Sequence, residues 1–172
     1  MVLAGSVVVV GTSRADLYDD YINSRSKHPF VVFLARGGFP GHAFVGTGVD
    51  LEAGLRVYER FYGYYPITGD KVAAIKLALG KTSGAIEYKW KDTSWDVNYL
   101  VPIDDAKKAA ILAVLDRWKS DDPKYTLVAS GGKNCSSLAG EMAEAAGLKT
   151  VGGAGTMLPV EYVRKLKAAN GG

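Results

Sequence analysis

The sequence has one cysteine, Cys135, in 172 residues. An intramolecular disulfide is therefore impossible, and a structural zinc site of the cysteine type is excluded. There are two histidines, His28 and His42, so chemistry that needs an imidazole has two candidates. No run reaches the ~18 apolar residues of a membrane span. Met1 to Val10 is apolar but has no Lys or Arg ahead of the apolar run, so it lacks the charged leader of a signal peptide. The expected location is the cytoplasm, or delivery to the periplasm or extracellular space by a specialised secretion route. Net charge is small, with 21 basic against 18 acidic residues and a balance of +3. That suits weak attraction to an anionic polymer and is too little to argue nucleic-acid binding. No phosphate-binding Gly-rich loop and no Gly-x-Ser-x-Gly elbow occurs. Gly152-Gly153-Ala154-Gly155 follows no strong strand and makes no dinucleotide fingerprint. No cofactor is implied.

What is present is a foldable chain. Hydrophobic residues make up 48%, which excludes intrinsic disorder. The 21 glycines show no three-residue period, which excludes collagen. The length suits one domain, residues 1–172. The pattern predicts strands over Leu3–Gly11, Pro29–Ala35, His42–Leu51 and Leu55–Tyr65, with Ala85–Trp90, Asp96–Ile103 and Tyr125–Ala129 as shorter ones. Closely spaced strands joined by short turns predict an antiparallel meander. Helices are predicted over Ala15–Asn23, Asp70–Leu79, a stretch opening at Ile103-Asp104-Asp105, Cys135–Ala146 and Val160–Ala169. In the third of these, Ile111, Leu112, Leu115 and Trp118 share a face. Strands and helices segregate rather than alternate, so the expected class is α+β.

Cys135 carries the first chemical question. A lone cysteine is ordinarily a small buried hydrophobe. Asn134, however, is a strong helix N-cap, so Cys135 falls at the first helical position. Backbone N–H groups and the positive helix end there favour a thiolate, and the same groups can hold an oxyanion. His42, in Gly41-His42-Ala43-Phe44-Val45-Gly46, shares a strand face with Phe44 and Gly46. Small neighbours there are expected to leave space beside the imidazole. His28 sits in a polar loop and is given no role. A Cys–His pair needs a third group to orient the ring. In Val57-Tyr58-Glu59-Arg60-Phe61, alternation puts Glu59 on the apolar face with Val57 and Phe61, where a carboxylate requires a partner. His42 is one candidate partner; Arg36, Arg60 or solvent are the others. Asp50 and Asn98 are weaker third residues. The cluster Tyr58, Phe61, Tyr62, Tyr64 and Tyr65 lines a groove or simply packs the sheet.

Gly41 to Gly46 on an early strand, then Asn134-Cys135-Ser136-Ser137 opening a helix that closes at Ala145-Ala146-Gly147-Leu148, resembles the circularly permuted papain-like hydrolases. These form the permuted branch of the NlpC-type cell-wall peptidase superfamily, which also holds lecithin:retinol acyltransferase-like enzymes. The histidine strand precedes the cysteine helix in that branch, as here. The approach from Tyr125 to Cys135 and the segment Gly155-Thr156-Met157-Leu158-Pro159 extend the likeness over roughly residues 42–166. The resemblance implies an antiparallel sheet packed on helices, Cys135 as nucleophile, His42 as base and a polar third residue mapping to Glu59. The spacing from His42 to Glu59 is longer than a tight hairpin gives. The implied activity is cysteine amidase or peptidase chemistry on peptidoglycan peptide bonds, in a form some delivered antibacterial toxins take. Such a toxin requires a cognate immunity protein. A non-catalytic binding module of the same fold, or a thiol acyltransferase or lipase on lipid substrates, are the competing expectations.

Overall fold

The computed structural model describes residues 27–38, 41–52, 54–67, 82–88, 94–127 and 132–172. The strand expected over Leu3–Gly11 and the helices expected over Ala15–Asn23 and Asp70–Leu79 lie outside the described residues.

The chain is α+β. Its strands are β1 (Lys27–Arg36), β2 (His42–Leu51), β3 (Arg56–Pro66), β4 (Thr82–Glu87), β5 (Val97–Pro102) and β6 (Lys124–Tyr125). They form one antiparallel sheet in the order β5-β1-β2-β3-β4-β6. The expected meander is β1-β2-β3. The described residues also hold three helices: α1 (Asp105–Asp121), α2 (Cys135–Ala145) and α3 (Pro159–Ala169).

β1 is apolar without alternation because both its faces are buried. Val31, Phe33 and Ala35 point to the helices with Ala43 and Val45 of β2 and Tyr62 and Tyr64 of β3. Phe30, Val32 and Leu34 point the other way, with Phe44 and Phe61. The turn into β2 depends on Gly41, whose φ is +73°. A Cβ there would come within 3.0 Å of the Arg36 carbonyl oxygen. Such a conformation favours glycine, and it sets His42 as the first residue of β2.

Each helix begins at a readable signal. Asp104 caps α1 by accepting from the Lys107 amide at 2.7 Å. Its buried face is Ile111, Val114, Leu115 and Trp118, so Val114 rather than Leu112 completes the stripe. α3 opens on Pro159, a residue suited to the first turn, and buries Tyr162, Val163 and Leu166. α2 lies on β2 with Leu138, Ala139, Met142 and Ala143 buried. The alanines let the helix approach closely, and the approach fixes where its N-terminal tip falls.

One departure from simple alternation matters for the site. The β2–β3 register shifts between Thr47 and Gly48, so Arg60 faces Thr47 and Tyr58 faces Gly48, with Glu59 as the extra residue. This β-bulge breaks the two-residue period. Tyr58 and Phe61, three positions apart, therefore stack with ring centroids 5.5 Å apart.

Candidate active site

Cys135 is the first residue of α2, held there by a reciprocal cap. Asn134 Oδ1 accepts from the Ser137 amide at 3.1 Å, and Ser137 Oγ accepts from the Asn134 amide at 3.2 Å. This satisfies two of the donors that every helix start leaves over. The Asn134 side chain also donates from Nδ2 to the Gly155 carbonyl at 2.8 Å. One residue thus caps the helix and ties down the loop ahead of α3.

The sulfur meets the start of β2. Sγ accepts a hydrogen bond from the Ala43 amide at 3.4 Å. Pairing of β2 with β3 begins only at Phe44 opposite Gly63, which leaves this amide outside the ladder. Standard bond lengths then put Sγ within about 6 Å of the His42 Cα. Two segments distant in sequence do meet, at the open end of the β2–β3 pair.

The sulfur also faces an opening. A cleft of about 70 Å³ is lined by Gly41, Tyr125, Leu127, Asn134, Cys135 and Ser136 on one side and by residues 156–159 on the other. None of these side chains is charged. Leu158, at the mouth, is more than half exposed. Cys135 itself is 4% exposed. Burial pushes its thiol above the ordinary value, against donors from the Ala43 and Ser136 backbone and the Tyr125 hydroxyl that pull it down. Loss of solvation here opposes the helix-start donors that favour a thiolate. Tyr125 is affected in turn, its phenol raised by burial and then by the neighbouring sulfur.

His42 is buried and bracketed by aromatic rings. Its centroid lies 4.2 Å from that of Tyr65 and 5.9 Å from that of Phe44. The shared face with Phe44 is as expected, but the expected open space is filled. Beside Gly46, Phe61 and Val32 occupy the volume; beside Gly63, Tyr65 and the imidazole do. A Cβ on Gly63 would sit 2.7 Å from His42 Nε2, so the β3 residue facing that nitrogen has no side chain. Cys135 packs with Ala43 and Val45 on the helix side of the sheet. The imidazole branches from the same strand end toward Phe44, on the other face of the sheet, and His42 is not among the residues that line the cleft.

Glu59 does not join them. It lies four residues along β3 from Gly63, roughly 13 Å at strand rise, and makes an ion pair with Lys108 of α1 at 2.6 Å. The bulge is the physical reason, because it releases Glu59 from the face it would share with Phe61. Asp50 is paired with Arg56 at 2.7 Å, and Asn98 is exposed on β5. The tyrosines pack the sheet, with Tyr65 reserved for His42. Tyr125, in contrast, is a site residue that sequence reasoning missed. It sits on a two-residue strand and is brought to the sulfur by a parallel bridge between Tyr125 and Lys133, two residues before Cys135.

Among the described residues no group of three or more metal-ligating side chains occurs, and no helix is long and apolar enough to cross a membrane. Comparison with protein-family models, curated proteins and solved structures gives no match for this chain.

Proposed function

We propose that the chain is a cysteine amidase or peptidase of the circularly permuted papain-like arrangement, with Cys135 as nucleophile and His42 as base. The observation that carries this reading is the Ala43 amide bound to Cys135 Sγ at the cleft, one residue along β2 from His42. Because burial favours the neutral thiol, proton removal accompanies attack rather than preceding it. His42 takes the Sγ proton, and sulfur adds to the amide carbonyl carbon. The oxyanion is stabilised by first-turn N–H groups of α2 and by the Tyr125 hydroxyl. His42 returns the proton to the departing amine, and water then cleaves the thioester. Tight aromatic packing, rather than Glu59, holds the imidazole.

The cleft suits a small uncharged acyl group, with room for about five water-sized groups. Alanine-containing peptides of peptidoglycan meet that size. A form delivered to the periplasm or outside the cell as an antibacterial toxin, with an immunity protein as partner, follows from the same reading. The uncharged wall also favours a second reading, transfer of an acyl group from a lipid through the same thioester.

The test is digestion of purified sacculi by the wild type and by Cys135→Ala, read by mass spectrometry. New muropeptide ends from the wild type alone support the proposal. Identical profiles from the two proteins sink it on this substrate, and a thioester adduct with an acyl ester probe would then select the lipid reading. No adduct with either substrate leaves the fold as a non-catalytic binding module.

A further inference from the structure

A second depression runs along the flank of α2, separate from the cleft at its tip. It measures about 320 Å³ and lies between the helix and the loop around residues 150–154. That size is at the lower end of the range of small-molecule sites, ~300–1,000 Å³. Its wall includes Lys133, Glu141, Glu144, Thr150 and Tyr162. None of these belongs to the Cys135 cleft.

Tyr162 is the unusual member. The residue is 0% exposed, and its hydroxyl has no hydrogen-bond partner among the described residues. Native structures rarely leave a buried phenol in that condition. Its oxygen points across Gly140, 3.1 Å from where a Cβ would stand, and lines the depression. No side chain at Gly140 stands beside the hydroxyl.

The charges decide what could reach it. Glu141 is fully engaged: Oε2 accepts from Arg117 at 2.6 Å and from Trp118 Nε1 at 2.7 Å, and Oε1 accepts from Lys133 at 2.5 Å. Lys133, which also lies 4.8 Å from the centre of the Trp118 ring, is thus committed. Glu144 is exposed and makes no ion pair among the described residues. An anion would meet this carboxylate without a free cation to offset it; an ammonium would be drawn to it. Gly140 and Glu144 are four residues apart on α2, so the rim carboxylate and the glycine beside the buried hydroxyl share one face of the helix.

We propose that this depression binds a compact hydroxylated primary amine, the ammonium pairing with Glu144 and a hydroxyl or ring oxygen meeting the Tyr162 hydroxyl. The site is independent of Cys135 chemistry and stands whether or not the chain is a hydrolase.

The probe is glucosamine, with glucose as its charge-free counterpart, titrated into the ¹⁵N-labelled full chain. Saturable amide shifts centred on Gly140, Glu144 and Gly153 are expected, with glucose weaker by about tenfold. Glu144→Gln, a surface change, should reduce glucosamine binding to the glucose level. Tyr162→Phe should raise the melting temperature of the free protein, by removing an unsatisfied hydroxyl, and weaken glucosamine binding by about tenfold. The absence of saturable shifts overturns the site. So does a response that Glu144→Gln and Tyr162→Phe both leave unchanged.

Discussion

The Ala43 amide donates to Cys135 Sγ across 92 positions of sequence. This contact joins the tip of α2 to the first residues of β2. It also explains why the thiol is dry. The helix that presents the sulfur must pack against β2 to reach it, and packing removes the water that would support a thiolate. The donors that remain, at Ala43, Ser136 and Tyr125, recover only part of that loss.

Alkylation of Cys135 should therefore be slow at neutral pH and keep accelerating above the ordinary thiol range. A thiol with a raised pKa is protonated below that range and gives thiolate only as pH climbs past it. Iodoacetamide labelling followed by mass spectrometry from pH 6 to about pH 10 measures this. A rate that plateaus below pH 8 would mean that a cationic partner outweighs burial, which contradicts the site as described.

Glu59→Gln should leave turnover within about twofold of wild type, because the carboxylate lies far from the sulfur and pairs with Lys108. Its cost is confined to a partly exposed ion pair, of order 0.2–1 kcal/mol. Urea denaturation and steady-state kinetics on the same preparation separate the two effects. A loss of about a hundredfold in turnover at unchanged stability would restore Glu59 as an orienting residue.

The difference between what the sequence revealed and what it concealed follows the range of each interaction. The start and end of α2 were legible because their signals are local. Asn134 and Ser137 form the cap, and Gly147, at φ +77°, lets the Leu148 amide return to the Ala143 carbonyl. The β1-β2-β3 meander was legible from its apolar runs. The face of Glu59 was not, because a bulge opposite Thr47 and Gly48 is a property of two strands together. Tyr125 was invisible as a neighbour of the sulfur for a similar reason, since the bridge from Tyr125 to Lys133 belongs to two segments together. The balance at the Cys135 thiol was not legible because a helix-start signal is written in sequence and burial depth is not.

Asn134→Ala should destabilise the chain by about 1–2 kcal/mol, as loss of an N-cap does. The effect should extend beyond α2. Asn134 Nδ2 also holds the Gly155 carbonyl, so the loop over residues 153–157 loses its tie as well. Hydrogen exchange checks this: the Thr156 and Met157 amides, both bound to the Gly153 carbonyl, should exchange faster than in the wild type. If only the amides of the first turn of α2 respond, the loop is held by something other than this side chain.

Two buried tyrosines should respond oppositely to the same substitution at neutral pH and alike in alkali. Burial pushes Tyr64 and Tyr162 each up to about 12 from 10.0. A group with a raised folded pKa contributes stability below its unfolded value and loses it as pH climbs toward the folded one. Wild-type stability should therefore fall between about pH 10 and 12, by up to roughly 2–3 kcal/mol per tyrosine. Either Tyr→Phe variant should flatten that fall. At neutral pH the partners decide. The Tyr64 hydroxyl donates to the Pro123 carbonyl, so Tyr64→Phe should cost about 1 kcal/mol. The Tyr162 hydroxyl has no such acceptor among the described residues, so Tyr162→Phe should be stabilising. Urea titrations of the three proteins at pH 7 and in alkali measure both effects. Equal losses for the two variants at pH 7 would show that the Tyr162 hydroxyl is satisfied in solution, and that the depression it lines holds no open donor.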